Sequence, residues 1–85
     1  MNMDPEPISA QDAAVRLRRR PTTIRKWRER YAARVVGREQ RRDYFDWRDL
    51  ATIDGCITRG EDVPPTPEGR DQLRASLRER WQGAA

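Results

Sequence analysis

The stretch Pro21-Thr22-Thr23-Ile24-Arg25-Lys26-Trp27-Arg28-Glu29-Arg30-Tyr31 decides how this chain is read. Proline is tolerated at a first helical position, where its missing N–H would have no partner anyway. A helix therefore opens at Pro21, and the pattern carries it to about Ala33. Ile24, Trp27 and Tyr31 fall at i, i+3 and i+7 and share one face. Stepping about 100° per residue from Ile24 places Thr22, Arg25, Lys26 and Glu29 on the opposite face, with Thr23 and Arg30 on its flank. One face can anchor the helix while another, polar and mostly cationic, stays available.

Upstream, Ser9 has the character of an N-cap, with Asp12 three residues on in the manner of a capping box. Ala10, Ala13, Ala14 and Leu17 then repeat at helical spacing. Their small size implies that another helix packs very close. Arg18-Arg19-Arg20 forms the break between this helix and the one opened by Pro21.

Downstream, two short β-prone runs, Arg34-Val35-Val36 and Asp43-Tyr44-Phe45, flank a polar loop from Gly37 to Arg42. The pattern predicts a β-hairpin whose loop carries Arg38, Gln40, Arg41 and Arg42. Asp46 caps a third helix, with Asp49 at the capping-box position. Trp47, Leu50, Ile53 and Ile57 mark its buried face, and Gly60 ends it. Pro64 and Pro65 stiffen a linker. Thr66 caps a fourth helix and Pro67 takes its first position. Leu73, Leu77 and Trp81 form its only apolar stripe, with Arg70, Arg74 and Arg78 along an adjacent face. So narrow a stripe can fold back on its own domain or dock on a neighbouring copy or partner. The small core in want of cover favours the first. The expected fold is mainly α with a small β-hairpin. Residues 1–7 form a disordered lead, 8–60 the domain, 61–66 the linker and 67–82 the C-terminal helix.

Charge is distributed unevenly. Between Ala13 and Arg42 stand twelve cationic residues and two acidic ones, Glu29 and Glu39, a net of +10. The remainder holds six cationic and twelve acidic residues, although the whole chain is only +4. Arginines can merely solvate a surface, but this concentration in a folded-looking segment points to a polyanionic partner.

Other function classes find little footing. The chain has 85 residues, room for one domain, and only 35% of them are hydrophobic, so the core must be compact. There is no histidine and a single cysteine, Cys56, which rules out an internal disulfide and argues against a structural zinc site. Cys56 lies in an apolar helical run and reads as a small core residue. No nucleophile stands beside a base, and no glycine-rich phosphate loop occurs. Asp43, Asp46 and Asp49 lie close together, but where a strand ends and a helix is capped. Neither an enzymatic activity nor a cofactor is expected. No apolar run approaches the roughly 20 residues of a membrane span. The acidic, proline-bearing N-terminus is unlike a signal peptide. A cytoplasmic protein is expected, nucleoid-associated when bound to DNA.

Two short helices separated by a tight break, then a basic hairpin, make a helix-turn-helix with a wing. An α-helix fits the DNA major groove, where each base pair shows a distinct donor and acceptor pattern. The residues also resemble a known family. Ile8-Ser9-Ala10-Gln11-Asp12-Ala13-Ala14, then Leu17, then Pro21 to Trp27, is similar to the opening of phage and plasmid excisionases and of the DNA-binding domain of MerR-type regulators. Arg42-Asp43-Tyr44-Phe45 with Asp49-Leu50 resembles the end of their wing and the start of the next helix. The likeness covers about Ile8 to Ile53. It departs where the family usually has glycine, an aliphatic residue and serine, here Arg18, Arg19 and Arg20. Arg19 would have to cover the core with its aliphatic stem. The usual glycine after the second helix is also missing near Arg30 and Tyr31.

The resemblance implies a winged helix-turn-helix with Thr22, Thr23, Arg25, Lys26, Glu29 and Arg30 at the major groove. It places Arg38, Gln40, Arg41 and Arg42 on backbone or minor groove, and Arg16, Arg18 and Arg20 on backbone. Arginine suits guanine, and glutamate can accept from cytosine N4, although Glu29 could equally pair with nearby arginines. Trp27 and Tyr44 read as packing residues. The implied role is that of an excisionase, assisting an integrase, or of a small transcription regulator acting with RNA polymerase. Either could self-associate cooperatively on duplex DNA. The alternatives are a protein-interaction adaptor and a small terminase-like packaging subunit.

Overall fold

The computed structural model describes residues 6–83, and the side chains of residues 6–80. Residues 1–5 of the expected lead and the side chain of Trp81 lie outside the described residues. The elements run β1 (Pro7–Ser9), α1 (Ala10–Leu17), α2 (Pro21–Arg30), β2 (Val35–Glu39), β3 (Arg42–Asp46), α3 (Trp47–Arg59) and α4 (Pro67–Gly83). The described chain is mostly helical, with one three-stranded antiparallel sheet in the order β1-β3-β2.

Most element boundaries follow from their caps. Ser9 Oγ accepts from the backbone N–H of Asp12 at 3.1 Å, which satisfies one of the donors that a helix start leaves unpaired. Asp46 does the same for Arg48 at 3.1 Å, and Thr66 for Gly69 at 3.0 Å. Pro21 stands in the first turn of α2. Gly60 ends α3 at φ 71, a conformation open to glycine without penalty.

Where glycine is missing, other residues take its conformation. Arg18, ending α1, sits at φ 56, and Ala32, just past α2, at φ 51. Each is a left-handed residue with a Cβ, at a cost of about 1–2 kcal/mol. This shortens α2, which ends at Arg30 rather than near Ala33.

The sheet corrects the expected hairpin in three ways. The first is a third strand: Pro7 does not end a disordered lead but opens β1, with Ile8 opposite Phe45. The carbonyl of Glu6 also accepts from the N–H of Trp47 at 2.8 Å. Proline is compatible with the first position of an edge strand. The second is the turn. Gly37 to Arg42 is not an open loop, because Gly37, Arg38, Glu39 and Arg42 are paired in the ladder. Only Gln40 and Arg41 turn, at φ 50 and 65, the two positive angles of a two-residue type I′ turn. The third is a bulge at Val36, where the register shifts between Val35 and Gly37.

Ile8, Ala13, Ala14, Ile24, Trp27 and Phe45 are buried with Leu50 and Ile53 of α3 in one core. The alanines of α1 let α2 come close, as their size implied. Leu73 and Leu77 of α4 line a cleft against Trp47, Ala51 and Gly55 of α3, so α4 lies on its own domain.

The largest departure concerns Arg70. It was expected on a face beside the apolar stripe, yet it is fully buried, as is Asp49 of α3. Asp49 is no simple capping residue. Its carboxylate receives Arg70 Nε at 2.5 Å and Nη2 at 2.7 Å, and the backbone N–H of Arg34 at 2.8 Å.

Candidate nucleic-acid interface

The arginines of the candidate surface differ in whether their guanidinium groups are already engaged. Arg19 donates to Asp54 at 2.5 Å and lies over the Trp27 ring at 5.2 Å. Its head, expected to stay in water, is instead held between the Trp27 ring and the Asp54 carboxylate. Arg34 donates to Asp71 at 3.0 and 3.3 Å. Arg28 is paired with Asp43. Arg16 pairs with Glu6 at 3.3 Å and stacks on the Trp47 ring at 4.9 Å, which engages one of the three residues expected on the backbone.

The other eight cations between Ala13 and Arg42 carry no ion pair among the described residues: Arg18, Arg20, Arg25, Lys26, Arg30, Arg38, Arg41 and Arg42. All eight are exposed. They lie on α2, on the turn before it and on the β2–β3 hairpin. Arg20 and Arg18 flank the α1–α2 turn, and Arg30 lies 5.6 Å from the Tyr31 ring.

Between α2 and the hairpin runs an open groove of about 390 Å³. Arg25, Arg28 and Glu29 line it from α2, and Arg41, Arg42 and Asp43 from the hairpin. Ser9, Ala10 and Gln11 at the start of α1, together with Phe45, complete the lining. The structure thus brings together Arg25, Glu29, Arg41 and Arg42 from the residues singled out in the sequence. Thr22, Lys26 and Arg30 are exposed on α2, and Thr23 is half-buried, none of them lining the groove. Arg38 projects from β2, and Gln40 stands at the exposed tip of the turn.

Glu29 is paired with none of the arginines around it. An exposed carboxylate in a groove of guanidinium groups leaves an acceptor available to a donor from outside.

Arg28, Asp43 and Gln11 are groove residues that the sequence reading missed. Arg28 follows Ile24 by four residues, so a helical wheel sets it beside the buried face. Only the position of the hairpin reveals that this direction opens on Asp43. Their ion pair bridges α2 to β3 at the groove wall.

The base of the hairpin is held electrostatically. The hydrogen bond to Asp71 keeps Arg34 above its ordinary pKa despite burial. Burial pushes the Asp71 carboxyl up, but the Arg34 hydrogen bond and the charges of Arg34, Arg74 and Arg48 outweigh it and hold the group below its usual range. Among the described residues, no group of three His, Cys, Asp or Glu could hold a metal ion, and no helix is long and apolar enough to cross a membrane. No protein-family profile, curated protein or solved structure matches the chain.

Proposed function

We propose that this protein binds duplex DNA sequence-specifically as a winged helix-turn-helix, without catalysis. In this reading α2 enters the major groove and the β2–β3 hairpin is the wing, on the phosphate backbone or in the minor groove. The observation that carries it is the set of eight exposed, unpaired cations on α2, its leading turn and the hairpin. Free guanidinium groups on a helix and an adjacent ribbon suit two phosphate-bearing strands and the groove between them. Arg25 supplies a fork for guanine, and Glu29 an acceptor for cytosine N4. Arg41 and Arg42 supply backbone contacts.

Within that class, an excisionase-type or effector-free regulatory role fits best. Helix α4 is folded back on α3, whereas the dimerising helix of a MerR-type regulator extends away as a coiled coil. An integrase or RNA polymerase would then be the protein partner, and copies would cooperate on repeated sites.

Selection from a pool of random duplexes tests the reading. The parent protein should enrich a defined motif. Arg25→Ala should lose preference at one base position, worth about 1–3 kcal/mol. No enrichment would favour a protein-binding adaptor. An unchanged motif with Arg25→Ala would show that α2 is set in the groove in another register.

A further inference from the structure

The segment joining α2 to the hairpin is only Tyr31 to Arg34, and it decides the angle at which the hairpin leaves the helix. It contains a strained residue, Ala32 at φ 51, a conformation that persists only where its surroundings over-determine it. The constraint comes from far along the chain. The Arg70 side chain on α4 makes five contacts: Nε and Nη2 donate to Asp49, Nη1 to the carbonyls of Tyr31 at 2.8 Å and Pro64 at 2.9 Å, and Nη2 also to the carbonyl of Ala32 at 3.3 Å. A guanidinium has five N–H donors, so this one is fully used. From the other side Asp49 accepts the N–H of Arg34. The segment is therefore gripped at Tyr31 and Ala32 by the cation and at Arg34 by its counter-ion.

We infer that Arg70 is a positioning residue for the DNA-reading surface: with Asp49 it fixes the angle between α2 and the wing, so α4 takes part in sequence discrimination without touching DNA. The inference rests on the proposed DNA binding. Its physical logic is that base contacts from α2 and backbone contacts from the wing must be made together. A helix tilted against its wing keeps the charge that attracts DNA and loses the register that reads it. Lysine in this position keeps one positive charge but has three donors on a single nitrogen, and it cannot reproduce the fork.

The test is R70K, measured well below its melting temperature and in trimethylamine N-oxide wherever needed to keep it fully folded. Affinity is compared for the duplex selected by the parent and for a random-sequence duplex pool. A purely structural role would leave the ratio of the two unchanged once the protein is folded. Positioning predicts that random-duplex affinity stays within about twofold while the ratio falls by about tenfold, the size of one lost base contact. An unchanged ratio overturns the inference. So does failure of R70K to fold even with the osmolyte, which would assign Arg70 to the fold as a whole. Residual dipolar couplings of α2 and hairpin amides separate this from failure of DNA binding itself. Even if the parent selects no duplex, a changed α2-to-hairpin orientation in R70K supports the positioning, and an unchanged one overturns it.

Discussion

The two flanks of this molecule use the same residue in opposite ways. On the α3–α4 flank several arginines are engaged internally, Arg70 enclosed with Asp49, Arg74 tied to Asp71 and to Thr52 at 2.8 Å, and Arg59 to Glu61 at 2.9 Å, while Arg78 and Arg80 near the end of α4 are exposed. On the α2–hairpin flank, Arg25, Arg38, Arg41 and Arg42 are exposed without an acidic partner among the described residues. The two flanks differ in net charge, with the cationic excess on the α2–hairpin side. They differ too in the placement of carboxylates: Asp49 meets Arg70 across the α3–α4 junction and Asp71 meets Arg74 on α4 and Arg34 before β2, while Glu29 and Glu39 engage none of the described arginines around them. One flank is held by a buried ion pair and the other presents exposed charge.

The comparison breaks most visibly if arginine is removed from each flank in turn. Arg70→Met leaves the Asp49 carboxylate buried without its counter-ion, and breaking a buried pair in this way costs about 3–5 kcal/mol. That is much of the stability of a small domain, so chemical denaturation should show a large loss or no folded baseline. Arg41→Ala with Arg42→Ala should stay within about 0.5 kcal/mol of the parent. The same double variant should weaken binding to all duplexes alike, with the salt slope reduced by about 1 for each lost phosphate contact. Equal stability losses on the two flanks would erase the distinction drawn here.

Acid sharpens it on a smaller scale. The folded Asp71 carboxyl is depressed, so its contribution is present above its ordinary pKa and is lost as pH falls through the folded value. Its side chain is 43% exposed, and solvent screening keeps the effect small. Asp71→Asn should melt a few degrees below the parent at pH 7, and the gap should close as pH falls below about 4. A gap that is constant with pH would show that the tie to Arg34 contributes nothing through charge.

Local signals carried much of the fold into the sequence. Ser9, Pro21, Asp46, Gly60 and Thr66 act at or within a residue of the expected helix ends, because caps are decided by one residue and its nearest backbone. Strand β1 escaped because three residues opened by proline offer a single inward apolar side chain, Ile8. The loop shrank to Gln40-Arg41 because neither residue is the glycine that usually announces positive φ. Arg70 was the deeper miss. It lies on the Leu73–Leu77 stripe, three residues before Leu73, just as Asp49 lies on the Ile53–Cys56 face of α3. Opposite charges on two otherwise apolar stripes were the available sign of an internal pair. Reading Asp49 as a capping residue and Arg70 as part of an adjacent face concealed it. In the candidate interface Arg25, Glu29, Arg41 and Arg42 were legible from periodicity and turn position. Arg28 was not, since its bond to Asp43 depends on where the hairpin lies.

The central claim is that the α2–hairpin flank is an unspent cationic surface for duplex DNA. The salt dependence of binding tests it most directly. The eight unpaired cations predict that roughly 4 to 8 phosphates are neutralised, so the logarithm of the association constant should fall with the logarithm of salt at a slope of about −4 to −7. A slope near zero, or binding absent at low salt, would contradict it.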